Sequence, residues 1–182
     1  MAKTWIAFFR GINVGGNNIL LMKSLVSLIK SLGGDDVRTY IQSGNAVFRH
    51  TERDAGKLAH RIESAVLKAH GFTPNVLLLT RMEMENAANA NPFSEAVSAP
   101  KTLHIAFLGA PPVNADIDGL KACARSDEAF QIIGNVFYLH TPAGIGQSKL
   151  AARYEKLLGV RATARNWNTV LKVLEISALL KK

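Results

Sequence analysis

Two short apolar runs, Ile6-Ala7-Phe8 and Ile105-Ala106-Phe107, each head the same succession of elements, and this repetition constrains the fold more than any other feature. The first run lies in a strand, Thr4 to Phe9, whose two faces are both apolar (Trp5 and Phe9; Ile6 and Phe8). Helical spacing of Met22, Leu25, Val26, Ile29 and Leu32 follows, and Gly33-Gly34 stops it. Val37 to Gln42 and Ala46 to Arg49 read as strands around a Ser43-Gly44-Asn45 turn. Glu52 to His70 carries a helical apolar stripe ending at Gly71, and Val76 to Leu79 is a fourth strand. The order is β-α-β-β-α-β.

Arg81 to Ala90 reads as a short helix closed by Asn91-Pro92-Phe93, and Ser94 to Lys101 as a linker. The order then recurs: strand Leu103 to Leu108, helix Ala115 to Ala124, a hairpin around Gly134-Asn135, helix Ser148 to Leu158 and strand Arg161 to Arg165. Thr169 to Leu180 is a last apolar helix. The expected fold class is α+β, two tandem ferredoxin-like (βαββαβ) subdomains with a C-terminal helix. Residues 1–90 form the first, and residues 101–182 the second with its closing helix.

This topology gathers polar segments. In such a unit the first and third strands are antiparallel neighbours, so the first β-α loop and the central hairpin share one end of the sheet. Arg10, Asn13, Gly15 and Gly16 are therefore expected beside Ser43, Gly44 and Asn45. Arginine is a bidentate anion ligand, and glycines offer backbone N–H groups. In the second unit, Ser148 and Lys149 at a helix start are expected at the same edge as Arg165, Asn166 and Trp167. Ser148, and Asn168 or Thr169, are natural helix caps, which could by itself explain those three. Two cations there would suit a phosphate or carboxylate, with Trp167 stacking on a ring or packing against the cations.

Other chemistry is poorly supported. No Gly-Lys-Ser/Thr follows the glycine run and Gly-x-Gly-x-x-Gly is absent, so neither nucleotide fingerprint is present. Five histidines lack ligand spacing, so no metal is expected, and no cofactor is indicated. Ser43 and Ser148 have no His-Asp pair nearby in the pattern, Cys123 sits in an apolar helix, and no general base stands out. The lone cysteine, the absence of a signal-like start and apolar runs well short of the roughly 18 residues of a membrane span lead to the expectation of a cytoplasmic protein without membrane contact.

The formal charge is +8, and residues 149–182 hold 8 Lys+Arg against 2 Asp+Glu. That distribution suits an anionic partner, either a small phosphorylated ligand such as a nucleotide or nucleic acid. A protein-interaction or structural role is the third class, with the final apolar helix as the docking element.

Five segments also carry a resemblance: Arg10-Gly11-Ile12-Asn13-Val14-Gly15-Gly16, Thr39-Tyr40-Ile41-Gln42-Ser43-Gly44-Asn45, Asn91-Pro92-Phe93, Ser148-Lys149-Leu150 and Thr163-Ala164-Arg165-Asn166-Trp167-Asn168-Thr169. In this order, over almost the whole chain, they resemble the DUF1697 family. The resemblance implies a bacterial protein with an α/β build of two small subdomains. It marks the same two polar clusters and implies no substrate.

Overall fold

The computed structural model describes residues 2–180. It is a mixed α+β structure with two four-stranded antiparallel sheets and, among the described residues, six α-helices. The chain forms two compact units, one made of the chain to Asn86 and again from Leu171 onward, the other of Ala87–Val170.

In the first unit the elements are β1 (Lys3–Arg10), α1 (Met22–Ser31), β2 (Asp35–Tyr40), β3 (Asn45–His50), α2 (Ala55–His70), β4 (Asn75–Thr80) and most of α3 (Arg81–Asn89). The strands lie in the order β2-β3-β1-β4. Trp5, Ala7 and Phe9 of β1 alternate onto one face, and with Leu25, Ile29, Leu58, Ile62 and Val66 they form the core beneath α1 and α2. Ile6, Phe8 and Val47, on the opposite pleat, are no more than 1 % exposed. Both faces of this sheet are buried, which is why β1 lacks apolar–polar alternation.

The second unit holds β5 (Leu103–Leu108), α4 (Ile117–Cys123), β6 (Ala129–Ile133), β7 (Val136–His140), α5 (Lys149–Leu158) and β8 (Ala162–Asn166), with strand order β6-β7-β5-β8. Ala106, Leu108, Phe137 and Leu139 pack with Leu120, Leu150, Tyr154 and Leu158. The Phe137 ring stacks on Tyr154 at 5.0 Å. Ser148 caps α5, its Oγ accepting from the Ala151 N–H at 3.0 Å. α6 (Trp167–Leu179) follows β8 with no intervening loop. It contributes its first turn to the second unit and, from Leu171 on, the remainder to the first. The expected linker at residues 94–101 is instead mostly 3₁₀ turn, at Ser94–Ser98 and Pro100–Thr102.

The β2–β3 connection is longer than the three-residue turn the sequence suggests. Tyr40 pairs with Asn45, leaving residues 41–44 as the turn and Asn45 as the first residue of β3. Within it Ile41 is held at φ +49° and is 52 % exposed. A β-branched residue in the left-handed region crowds its own backbone, at roughly 1–2 kcal/mol, and half-exposure leaves little burial to offset that. Ile41→Gly is expected to raise the unfolding free energy by about 1 kcal/mol in urea melts, against the usual penalty for added glycine. A destabilised variant would mean that the Ile41 side chain is held by something other than its backbone.

Candidate functional site

The first polar cluster is assembled by backbone bonds. Asn13 N–H donates to the Asn18 carbonyl at 3.1 Å and Asn17 N–H to that of Val14 at 3.0 Å, so residues 13–18 form a miniature hairpin. Gly15 and Gly16 are its two corner residues, at φ +58° and +78°. A two-residue turn with positive φ at both corners is the type I′ geometry, which glycine adopts without steric cost. Neither glycine N–H has an acceptor among the described residues, and both glycines are exposed.

Asn13 holds this hairpin to the body of the unit. Its Nδ2 donates to the carbonyls of Leu20 (2.9 Å) and Gln42 (2.8 Å), and its Oδ1 accepts from the Leu20 N–H at 2.8 Å. Asn18 Nδ2 adds a bond to the Gly11 carbonyl at 2.8 Å. On the partner segment, Phe9 N–H donates to the Gly44 carbonyl at 2.8 Å. Asn45 is fully buried and donates to the Tyr40 carbonyl and to Ser43 Oγ, both at 3.0 Å. The loop after β1 and the 41–44 turn thus meet at one end of the sheet. Arg10 ends β1 there, exposed, in register with Asn75 of β4.

The residues divide into two kinds. Asn13, Ser43, Gly44 and Asn45 hold the corner together, while Gly15 and Gly16 present backbone donors to solvent and Arg10 lies exposed beside the loop. α1 begins only at Met22, and no side chain caps it, so the glycine turn is not continuous with a helix N-terminus.

The second cluster lies at the opposite end of its own sheet, where β5 begins. β7 ends at His140 beside Leu103, and β8 ends at Asn166 beside His104. Asn166 is the organiser. Its Nδ2 donates to the carbonyls of Pro100 (3.0 Å) and Lys101 (3.2 Å) and lies 3.4 Å from His104 Nε2. Its Oδ1 accepts from the Asn168 N–H at 3.0 Å, so Asn166 caps α6 where Asn168 or Thr169 was expected to.

Arg165 is mostly buried, its Nη1 donating to the Ala164 carbonyl at 2.8 Å. Burial draws its pKa down to about 10, so it is still a cation at neutral pH. Lys149, at the start of α5, is exposed and its ammonium makes no hydrogen bond or ion pair among the described residues, so neither kind of bond joins it to Arg165. Trp167 is only 4 % exposed, and its Nε1 is buried without a hydrogen-bond partner. In this arrangement the indole is packed, not open for stacking on a ring.

His104, one of the five histidines without ligand spacing, sits against Asn166. Desolvation lowers its pKa below the ordinary imidazole value, which favours the neutral ring. The only sequence signal for it was its register opposite the last residue of β8. Among the described residues, no group of three His, Cys, Asp or Glu side chains could hold a metal ion, and no helix is long and apolar enough to cross a membrane.

A family model described as "Protein of unknown function (DUF1697)" matches residues 2–138, three quarters of the chain. The chain belongs to the DUF1697 family. The matched region contains the whole Arg10–Asn45 corner and stops before the Ser148–Trp167 cluster. A solved structure titled as that of the conserved bacterial protein SP0830 from Streptococcus pneumoniae is similar to this DUF1697 chain. It has a TM-score of 0.68 and 22 % identity over 98 % of this chain and 99 % of that one, a likeness of fold. No curated protein matches the chain.

Proposed function

We propose that this DUF1697 protein is a cytoplasmic binder of an anionic small molecule, a phosphorylated one such as a nucleotide, at the Arg10–Gly16–Asn45 corner. The observation that carries the reading is the Asn13 clamp, which fixes the exposed Gly15–Gly16 turn with two unaccepted N–H groups on the loop that Arg10 begins. Successive backbone donors beside a guanidinium form an anion-binding concavity. Lys149 and Arg165 make the Ser148–Trp167 cluster a second place where negative charge is favoured. Both halves are read as ferredoxin-like units, supported by the repeated β-α-β-β-α-β order and the matching strand orders β2-β3-β1-β4 and β6-β7-β5-β8. Nucleic-acid recognition on an open sheet face is not favoured, because Ile6 and Phe8 are fully buried.

The test is thermal unfolding with inorganic phosphate, pyrophosphate and ATP. A charged hydrogen bond contributes about 1.5–3 kcal/mol, so Arg10→Ala is expected to weaken binding roughly 10- to 100-fold and to remove the ligand-induced rise in Tm. Its own Tm without ligand should stay near wild type, since Arg10 is exposed. Arg165→Ala is a less clean probe, because a mostly buried residue also affects stability. Equal stabilisation of wild type and Arg10→Ala would refute the assignment, as would no stabilisation of wild type by any of the three anions.

A further inference from the structure

We infer a separate binding pocket in the first unit, at the end of the sheet where β1 begins, for an anion carried on an apolar body. A cavity of about 590 Å³ opens there, within the 300–1,000 Å³ range of small-molecule sites. Its wall takes Lys3 from the start of β1, Arg49 from β3, Thr80 and Arg81 from the passage of β4 into α3, Met82 from α3, and Leu180 just past α6. Among the described lining residues three are cations and none is a carboxylate.

The cations are not equivalent. Arg81 is neutralised by Glu85, Nε to Oε1 at 2.6 Å. Lys3 Nζ rests 5.7 Å from the centre of the Trp5 ring. Arg49 is half-buried, and its guanidinium makes no hydrogen bond or ion pair among the described residues. Its register partners are Thr4 and Asp35, and even across the ladder from Asp35 no ion pair forms. A guanidinium presents five donors in a planar fork, and leaving them partly desolvated without an acceptor is costly. A carboxylate or phosphate oxygen pair is the acceptor that fork fits.

The rest of the wall combines the hydroxyl residues Thr4, Thr80 and Ser177 with apolar Ala2, Met82 and Leu180. Leu180 is 6 % exposed, whereas Met82 is 68 % exposed. A flexible thioether chain beside buried leucine suits an aliphatic or aromatic body. Inorganic phosphate would satisfy Arg49 and waste the wall, and an uncharged alkanol would do the reverse. The occupant therefore has both parts, as in an alkyl phosphate or a medium-chain carboxylate. This pocket is distinct from the Gly15–Gly16 corner, which lies beyond the other end of β1.

The experiment is an NMR titration of the full chain with octyl phosphate below its micelle concentration, with octanol and inorganic phosphate as separate probes. Octyl phosphate is expected to bind at least tenfold tighter than either, moving the amides of Thr4, Thr80 and Met82. Arg49→Met should weaken it at least tenfold, and Arg10→Ala should leave it unchanged. Met82→Glu, at an exposed position that folding tolerates, should weaken it comparably by placing an acid in the wall, and it decides the matter should Arg49→Met fail to fold. Unchanged affinity in the folded variants, equal affinity for octanol, or shifts confined to other regions would overturn the proposal.

Discussion

Gly44→Ala is expected to lower the unfolding free energy by about 3 kcal/mol, among the largest losses of any single-methyl addition to this chain. Two costs add. Gly44 sits at φ +78°, where an L side chain costs roughly 1–2 kcal/mol. A Cβ there would also lie 2.6 Å from Ile12 Cδ1 and 2.7 Å from Phe9 Cβ. Ile12 and Phe9 are 2 % and 1 % exposed, and the Phe9 N–H is already bonded to the Gly44 carbonyl, so neither neighbour can withdraw freely. Overpacking of that kind costs about 1–3 kcal/mol. Gly11→Ala supplies the control, because Gly11 has nearly the same φ, +80°, with nothing within 4 Å of its added Cβ. It should lose only about 1 kcal/mol, the backbone part. Urea melts giving equal losses for the two variants would show that close approach at Gly44 is not what holds the hairpin against β1.

Asn13→Ala is expected to cost a similar amount, about 3 kcal/mol, and to abolish the anion-dependent rise in Tm as well. Three hydrogen bonds disappear, and two of them leave the N–H and carbonyl of Leu20, a fully buried residue, without that partner. A stranded backbone group costs about 1–3 kcal/mol. Asn13 also sits at φ +54°, a region asparagine tolerates better than alanine. Asn13→Gly separates the two contributions, since it keeps the backbone freedom and loses only the amide. If Asn13→Gly were as stable as wild type, the amide would be a surface ornament, and the preorganisation of Gly15 and Gly16 would need another cause.

Much of this corner could be read in the sequence, for reasons that are physical. Trp5-Ile6-Ala7-Phe8-Phe9 announced a strand buried on both faces because apolar residues occupy both pleats, and burial of Ile6 and Phe8 matches that reading. The meeting of the Arg10–Gly16 loop with the 41–44 turn followed from strand order alone, and the Asn13–Gln42 bond realises it. Which polar groups face inward was not legible. Nothing in the local pattern distinguishes Asn13 and Asn45, consumed by the scaffold, from Gly15 and Gly16, whose N–H groups remain available. Trp167 illustrates the same limit: an indole between two cations looks available for stacking until its burial is known. The strained Ile41 was equally hidden, because residue type argues against left-handed φ there and only the hairpin register imposes it.

The sharing of α6 has a consequence for synthesis. A ribosome delivers residues in order, yet the first unit takes its last piece from Leu171 onward, after the entire second unit has emerged. The nascent N-terminal portion must therefore wait without its last segment, and its completion is a long-range event in chain terms. Loss of a dozen residues from the C-terminus would thus wound the opposite end of the polypeptide.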